Sequence, residues 1–186
     1  MKSNLFLYAG FVLALTGLTA CQHVGVFEPF REVECVERAK LSLKDAITAA
    51  EARGGIVLDS NFREDEEMGC LTNNPGAYDI TMLGGTQLFV VSVDAASGNV
   101  TSRQEANVLT ALLGGGPRFE GSPSDMVRIT PGMTTTISQA VDIAQQPGGR
   151  AMAAWVEAKG GKPGYTVKVV ENGRVRITWI DGNARS

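Results

Sequence analysis

The stretch Ser42-Leu-Lys-Asp-Ala-Ile-Thr-Ala-Ala-Glu-Ala-Arg-Gly-Gly55 decides the fold, because its pattern recurs at Thr136-Ile-Ser-Gln-Ala-Val-Asp-Ile-Ala-Gln-Gln-Pro-Gly-Gly149. The two stretches align without a gap at an offset of 94 positions. A hydroxyl residue begins both, alanines occupy the same inner positions, and a glycine pair ends both. The chain therefore contains an internal repeat, which must be recognised before a fold is assigned.

The repeat continues beyond the glycine pair at an offset of 87 positions. Tyr78 and Asp94 correspond to Tyr165 and Asp181, and the spacing from Tyr to Asp is sixteen residues in both copies. The change of offset means that the first copy carries seven additional residues before Tyr78. The acidic run 64–67 and Cys70 lie in or near this insertion.

Each copy predicts a helix that begins at the hydroxyl residue. Ser42 is a good N-cap, because Asp45 follows three residues later as in a capping box. The glycine pair supplies the positive φ that commonly ends a helix. Apolar residues at helical spacing form the buried stripe, namely Leu43, Ala46, Ile47 and Ala50 in the first copy.

Strands are predicted before and after each helix. The short apolar runs 33–36 and 127–130 are expected to be strands, and 56–62 alternates as a strand does. A hairpin is expected between 165–170 and 174–180. A two-residue Asn-Gly turn would mix apolar and polar residues on both faces, whereas a three-residue loop gives one apolar face, so the pattern favours the longer loop.

The same register applied to the first copy leaves an apolar outer face. This face is a candidate partner surface, because exposed contiguous apolar area usually marks an interaction site. The alternative is that the second copy, or the next helix, covers it. Its residues are Leu83, Phe89, Val91 and Val93.

The segment between the copies predicts a helix and a linker. Ser102-Arg103-Gln104-Glu105 resembles a capping box, and apolar residues continue at helical spacing to Leu113. We therefore expect an α+β fold of two tandem repeats, each with one helix on a small antiparallel sheet. The expected domains are 32–101 and 126–186, joined by a helix and linker over 102–125.

The first twenty residues have the features of an export signal. Lys2 precedes a short apolar segment that ends Leu18-Thr19-Ala20-Cys21, which resembles a bacterial lipobox. This resemblance implies cleavage before Cys21 and lipidation of its thiol. Residues 23–29 lack periodicity, so we expect 21–31 to be a tether. Gln22 then favours the outer membrane, facing the periplasm. An ordinary secretory signal followed by a coincidental cysteine is the alternative.

Two cysteines remain once Cys21 is assigned to the lipid. In an oxidising compartment an even remainder predicts a disulfide, here between Cys35 and Cys70. The alternative is two free buried thiols.

Composition argues against several functions. The chain carries a net charge of −3 and has no basic stripe, so a nucleic-acid partner is not expected. Its one histidine, His23, lies in the tether, and common hydrolase and phosphate-binding motifs are absent. We therefore expect no enzymatic activity, no cofactor and no metal.

Several polar and aromatic residues have structural interpretations. The acidic residues Glu64, Asp65, Glu66 and Glu67 are a candidate for binding a basic partner surface, but a solvated charged loop is the favoured interpretation. Asp94 and Asp181 suit turns in which the side chain bonds its own backbone. Two tyrosines and two tryptophans are expected in the core, namely Tyr78, Tyr165, Trp155 and Trp179.

The two copies resemble the PepSY domain. The residues that carry the resemblance are Asp45-Ala46-Ile47, Ala50, Tyr78-Asp79-Ile80, Val93-Asp94 and Gly98, and, in the second copy, Gln139-Ala140-Val141, Ala144, Tyr165-Thr166-Val167 and Ile180-Asp181. PepSY domains occur in propeptides of thermolysin-type peptidases and in stand-alone envelope proteins. The resemblance implies a regulatory binding module, and we expect regulation in trans because no peptidase follows in the sequence.

The sequence thus predicts a lipid-anchored periplasmic module that regulates or inhibits a peptidase or another envelope protein. Two alternatives remain, a ligand-sensing or adaptor protein of an envelope signalling system and a structural envelope lipoprotein.

Overall fold

A computed structural model describes residues 28–65, 70, 75–85, 87–107, 123–146 and 148–184, with the backbone alone at 28–30, 102–107 and 123–125. The helices are α1 Glu28–Arg38, α2 Leu43–Glu51, α3 Pro123–Ile129 and α4 Ile137–Gln145, with a 3-10 turn at Thr130–Gly132. The strands are β1 Ile56–Arg63, β2 Ala77–Gly84, β3 Gln87–Asp94, β4 Val100–Asn107, β5 Arg150–Lys159, β6 Lys162–Glu171 and β7 Arg174–Asp181.

All seven strands form one antiparallel sheet in the order β4-β3-β2-β1-β5-β6-β7. The α+β class is as predicted, but the two small sheets expected from the sequence are joined. The junction is the β1–β5 pair, in which Ser60 lies opposite Ala154. These two residues are 94 positions apart, so corresponding residues of the two halves face each other at the centre of the sheet.

The capping boxes at both helix starts are confirmed. The Ser42 hydroxyl accepts a hydrogen bond from the backbone N–H of Asp45, and the Asp45 carboxylate accepts one from the N–H of Ser42. Thr136 and Gln139 make the same reciprocal pair, and both N-caps have φ −82° and ψ 159°. Two orphan N–H groups are thereby satisfied at each helix. The buried stripes are Leu43, Ala46, Ile47 and Ala50 in α2 and Ile137, Ala140, Val141 and Ala144 in α4.

The glycine pairs do not end the helices as predicted, since the C-cap residues are Ala52 after α2 and Gln146 after α4. The glycines lie in the turns that follow, where the strands approach closely. Gly55 has φ +110° and a Cβ there would lie 2.9 Å from the Leu83 carbonyl oxygen, while Gly149 has φ +130° and a Cβ would lie 2.6 Å from Val169 Cγ1. Positive φ and lack of space both require glycine at these positions.

Long-range hydrogen bonds fix each helix to its sheet in the same way. The Leu41 backbone N–H donates to the Ala95 carbonyl, and the Tyr78 hydroxyl donates to the Leu41 carbonyl at 3.0 Å. In the second half Thr135 donates to Gly182, and Tyr165 donates to Thr135 at 2.8 Å. The tyrosines are therefore buried core residues, as predicted.

The segments predicted as strands before each helix are helical. Residues 33–36 lie in α1 and 127–129 lie in α3, and residues 28–31 of the expected tether also belong to α1. A short apolar run does not distinguish a strand from a buried helix. In α1 the charged neighbours are outside, with Glu34 and Arg38 paired at 2.6 Å across one turn.

The helix predicted from Ser102 is wrong over the described residues. Residues 100–107 form β4, which pairs with β3 along its whole length. The capping-box pattern is only local, whereas β3 presents a row of backbone N–H and C=O groups that a neighbouring strand satisfies. The remainder of that predicted helix lies outside the described residues.

The three-residue hairpin loop is also wrong. Glu171 pairs with Arg174 around a two-residue Asn172-Gly173 turn, with φ of 52° and 70°. Two positive φ values define a type I′ turn, whose twist matches that of the strands. The first half behaves alike, because Gly84 pairs with Gln87. A shift of one residue moves every side chain of β3 and β7 to the opposite face.

The core lies between the sheet and the pair of helices α2 and α4, which contact each other and the strands beneath them. In the described part of the chain, no helix has the length and apolar character needed to cross a membrane.

Candidate functional site

The face of the sheet away from α2 and α4, here called the distal face, carries two continuous rows of side chains. The strand register places side chains of neighbouring strands side by side in each row. The first row is Trp179, Thr166, Trp155, Asp59, Thr81 and Val90, and the second is Ile177, Lys168, Ala153, Asn61, Asp79, Ser92 and Thr101. The distal face is therefore mixed in character, with aromatic, apolar and charged positions.

The exposed large hydrophobic residues of the described chain all belong to the distal face. Ile177 is 63% exposed, Ile56 46% and Val175 43%. Ile56 lies opposite Leu83 in the first half, whereas the other two lie in β7. Because the other large apolar side chains described by the structure are buried or half-buried, these positions are the leading candidates for contact with another molecule.

Strand β7 is an edge of the sheet, and its open side coincides with its apolar residues. Residues that flank a two-residue turn exchange both backbone hydrogen bonds, and bonded pairs alternate along the strands. Arg174, Arg176, Thr178 and Ile180 thus bond β6. Val175, Ile177 and Trp179 direct their N–H and C=O groups to the side where no strand of the described chain pairs with β7.

The two tryptophans differ in role. Trp155 is buried as predicted and lies beneath the Lys168 ammonium, 5.4 Å from the ring centroid. Trp179, predicted as core, lies half-buried on the distal face and its ring covers Gly164. Its indole N–H is buried and has no hydrogen-bond partner among the described residues.

The predicted apolar partner surface of the first half does not exist as a surface. Val91 and Val93 are fully buried on the helix side of β3, with Tyr78 and Ile80 beside them. Phe89 is on the same side and packs over Gly84 and Gly55. The hairpin loop is one residue shorter than predicted, and this difference turns the side chains of β3 to the opposite face. Of the four predicted residues only Leu83 lies on the distal face, and it is half-buried.

The acidic segment contacts α1. Glu64 forms an ion pair with Arg31 at 3.5 Å and accepts a weak hydrogen bond from the Cys35 thiol at 3.8 Å. Asp65 is half-buried. Glu66 and Glu67 lie outside the described residues.

Cys35 and Cys70 are both buried thiols in the structure. Burial, followed by the neighbouring Cys70 thiol, raises the pKa of Cys35 to about 12. Arg38 donates to the Cys70 carbonyl at 3.1 Å, so Cys70 is tied to α1. The sequence placed the two cysteines in one region, although it assigned Cys35 to a strand.

Asp94 and Asp181 serve turns, as predicted. Asp94 accepts hydrogen bonds from the N–H groups of Ala96 and Ser97, and Asp181 accepts one from Asn183. The Ser97 hydroxyl and these N–H groups lower the pKa of Asp94.

Arg150 joins the two halves and was not identified from the sequence. Its Nη2 donates to the carbonyl oxygens of Ala39 and, at 2.6 Å, Leu41. Its Nε is buried without a partner in the described chain. An open groove beside it is lined in part by Glu37, Gly149 and Val170.

The described residues contain no group of three or more His, Cys, Asp or Glu side chains arranged to hold a metal ion. The proposed lipid site Cys21 and the single histidine, His23, lie outside the described residues.

Comparison with known proteins identifies one family in part of the chain. Residues 40–104 match the family model PepSY, described as peptidase propeptide and YPEB domain. This segment contains α2, β1, β2, β3 and half of β4. The match indicates a peptidase-propeptide-like binding module and no catalytic family. PepSY domains typically interact with peptidases or other proteins.

No curated protein matches the chain. Among solved structures, a “putative lipoprotein” of Clostridium difficile 630 is 13% identical, with 78% of this chain and 88% of that chain covered and a TM-score of 0.39. A likeness at this TM-score carries no argument about fold or function.

Proposed function

We propose that the chain is a lipid-anchored protein of the cell envelope that binds, and thereby regulates or inhibits, a peptidase or another envelope protein in trans. The observation that carries this proposal is the match of residues 40–104 to a peptidase-propeptide family. Binding alone suffices for inhibition by steric occlusion, so the protein needs no catalytic group or cofactor. Lipidation of Cys21 would hold it at the membrane, facing the periplasm.

We further propose that residues 126–186 are a second PepSY copy. The identical capping angles, the paired tyrosine hydrogen bonds and the contact of Ser60 with its counterpart Ala154 support this. A duplicated small module offers two related surfaces to partners, which suits binding better than catalysis.

The proposed partner surface is the part of the distal face formed by Ile56 and Leu83. Ile56 is 46% exposed and lies directly opposite Leu83, so together they present apolar area within the family-matched segment. Apolar anchors with polar surroundings are typical of protein interfaces. The acidic run 64–67, at the other end of β1, is a second proposed contact for a basic partner surface.

Site-specific crosslinking in intact cells tests this function. A photoreactive side chain is introduced at position 56 in one strain and at position 177, an even more exposed isoleucine of the other half, in a matched strain. We expect a peptidase or another envelope protein to be captured from position 56 and not from position 177. The purified partner's activity is then measured with the unchanged chain and with Ile56→Lys, which should inhibit at least tenfold less, about 1.4 kcal/mol of binding free energy.

Recovery of no peptidase under any growth condition would overturn the inhibitor version, and recovery of a signalling protein from position 56 would favour the adaptor alternative. A small molecule that raises the melting temperature without any captured protein would favour ligand sensing. Replacement of Cys21 by Ser should abolish labelling by a fatty-acid probe; retained labelling would contradict the anchor.

A further inference from the structure

The two outer hairpins of the molecule differ in one respect. In the first half, β3 has β4 paired along its outer side. In the second half, β7 occupies the corresponding place after the tyrosine-containing strand, and no strand of the described chain pairs with it. Among the residues that the structure describes, the sheet thus holds an added antiparallel strand at the β3 edge and none at the β7 edge.

The residues of β7 whose backbone groups face the open edge lack the usual protections of an edge strand. Natural edges are commonly interrupted by proline, a bulge or outward charges. β7 is eight residues long and pairs with β6 without a bulge. The residues whose backbone groups face the open edge are Val175, Ile177 and Trp179, and none is charged.

The sequence of β7 is complementary to itself in one antiparallel register. A two-fold axis normal to the sheet requires that opposed residues share a face. With Ile177 on the axis, Ile177 of each copy lies opposite the other, and Val175 lies opposite Trp179 of the second copy. All three outward apolar residues then meet apolar residues, and a β-branched residue beside an aromatic one is a favourable cross-strand pair.

Neighbouring registers that keep the faces matched are worse. Moving the axis to Arg176 sets two arginines directly opposite each other, which is unfavourable. Moving it to Thr178 sets Asp181 opposite Val175. In the Ile177 register the arginines of one copy face Thr178 and Ile180 of the other, so no like charges oppose.

We propose that two copies of this chain pair through β7, in the antiparallel register centred on Ile177, to form one continuous fourteen-stranded sheet. The pairing leaves Ile56 and Leu83 outside the interface between the two copies. The dimer therefore goes beyond the proposed partner binding, and an experiment can disprove either one without affecting the other.

Disulfide trapping of the full chain in its membrane tests the dimer. Opposed residues of a hydrogen-bonded antiparallel pair have Cα atoms about 5.5 Å apart, within the range of a disulfide. Ile177→Cys should therefore give a covalent dimer on mild oxidation. Ile56→Cys, on the same face but away from β7, is the matched control and should give no more dimer than the unchanged chain.

The register is tested by mixing two variants. Val175→Cys and Trp179→Cys should crosslink to each other when co-expressed, whereas Val175→Cys alone should not, since its two copies would lie about 13 Å apart. Independently, light scattering of the detergent-extracted chain should give a mass of two copies, falling to one for Ile177→Lys and unchanged for Ile56→Lys. Because Ile177 is exposed, these variants should fold, and circular dichroism checks this.

A one-copy mass for the unchanged chain, or equal crosslinking of Ile177→Cys and Ile56→Cys, would overturn the proposal. Crosslinking of Ile177→Cys to a different protein, with no dimer, would overturn it as well and would identify β7 as a site for an extended segment of another partner.

Discussion

At the scale of single residues, Ser42 and Thr136 stabilise the starts of the two main helices by the same reciprocal hydrogen bonds. Their identity was predictable because a capping box lies within four residues of sequence. The tyrosine and aspartate positions were predictable for a similar reason, since a conserved spacing between copies marks them as structural.

We predict that Ser42→Ala and Thr136→Ala each lower the free energy of unfolding by about 1 kcal/mol, because each leaves one N–H of the first turn without a partner. Urea denaturation measures the change. Ser42→Thr, which keeps the hydroxyl, is the control and should cost only a few tenths of a kcal/mol. Equal stability of Ser42→Ala and the unchanged chain would contradict the cap.

The buried Tyr165 hydroxyl should make the stability of the folded protein depend on pH. Burial, with a smaller contribution from the Glu51 carboxylate, raises the pKa of Tyr165 from 10.0 to about 12. The unfolded chain releases this proton at lower pH than the folded chain. The stability that this difference in pKa contributes is fully present below about pH 10 and is lost as the pH rises through about 12.

Tyr165→Phe should therefore lose about 1 kcal/mol at pH 8, from the hydrogen bond to Thr135, and should lose less additional stability than the unchanged chain between pH 10 and 12. Denaturant titrations at several pH values measure the difference between the two proteins, which removes the contributions of other titrating groups. Parallel pH dependence of the two would show that Tyr165 is not responsible.

At the scale of elements, α1 contacts Glu64 and Cys70 in a way that the local sequence pattern does not predict. The run 33–36 was predicted to be a strand, yet it lies in a helix whose side chains reach Glu64 and the Cys70 carbonyl. Such contacts join residues about thirty positions apart. Periodicity within so short a run contains no information about them.

We predict that Cys35 and Cys70 form a disulfide in protein taken from an oxidising compartment. Reduction should lower the free energy of unfolding by roughly 3 kcal/mol, because the crosslink restricts the unfolded chain. Thiol titration in denaturant, with and without reductant, counts the free cysteines. The double variant Cys35→Ala, Cys70→Ala should be insensitive to reductant.

Two free thiols in protein purified without reductant would contradict the disulfide. In that reduced form the raised pKa of Cys35, about 12 against an ordinary 9.0, would make alkylation slow until the chain unfolds.

At the scale of the whole molecule, the two halves share one sheet through β1 and β5 and are further joined by Arg150, which bonds the α1–α2 connection. Lys44 of α2 also pairs with Asp142 of α4 at 2.6 Å. Units joined by strand pairing and a common core should unfold together.

We predict a single cooperative transition. Both tryptophans, Trp155 and Trp179, lie in the second half and report it by fluorescence, whereas thiol exposure at Cys35 in the reduced chain reports the first. Ile47→Ala, a fully buried change in α2, should lower the stability seen by both probes by about 2–5 kcal/mol. Ile56→Thr, exposed and in the same half, should change it by less than about 1 kcal/mol. An unchanged tryptophan transition in Ile47→Ala would show that the halves unfold independently.

The sequence by itself determined the α+β class, the corresponding helices α2 and α4, their N-terminal caps, and the buried tyrosines, because each depends on contacts or periodicities within a few turns of chain. The tertiary structure alone decided that β1 meets β5, that residues 100–107 pair with β3 as a strand, and which faces of β3 and β7 are buried. Those outcomes depend on backbone hydrogen bonds between distant segments. They also depend on a single residue of hairpin register, which places Val91 in the core and leaves Ile177 exposed.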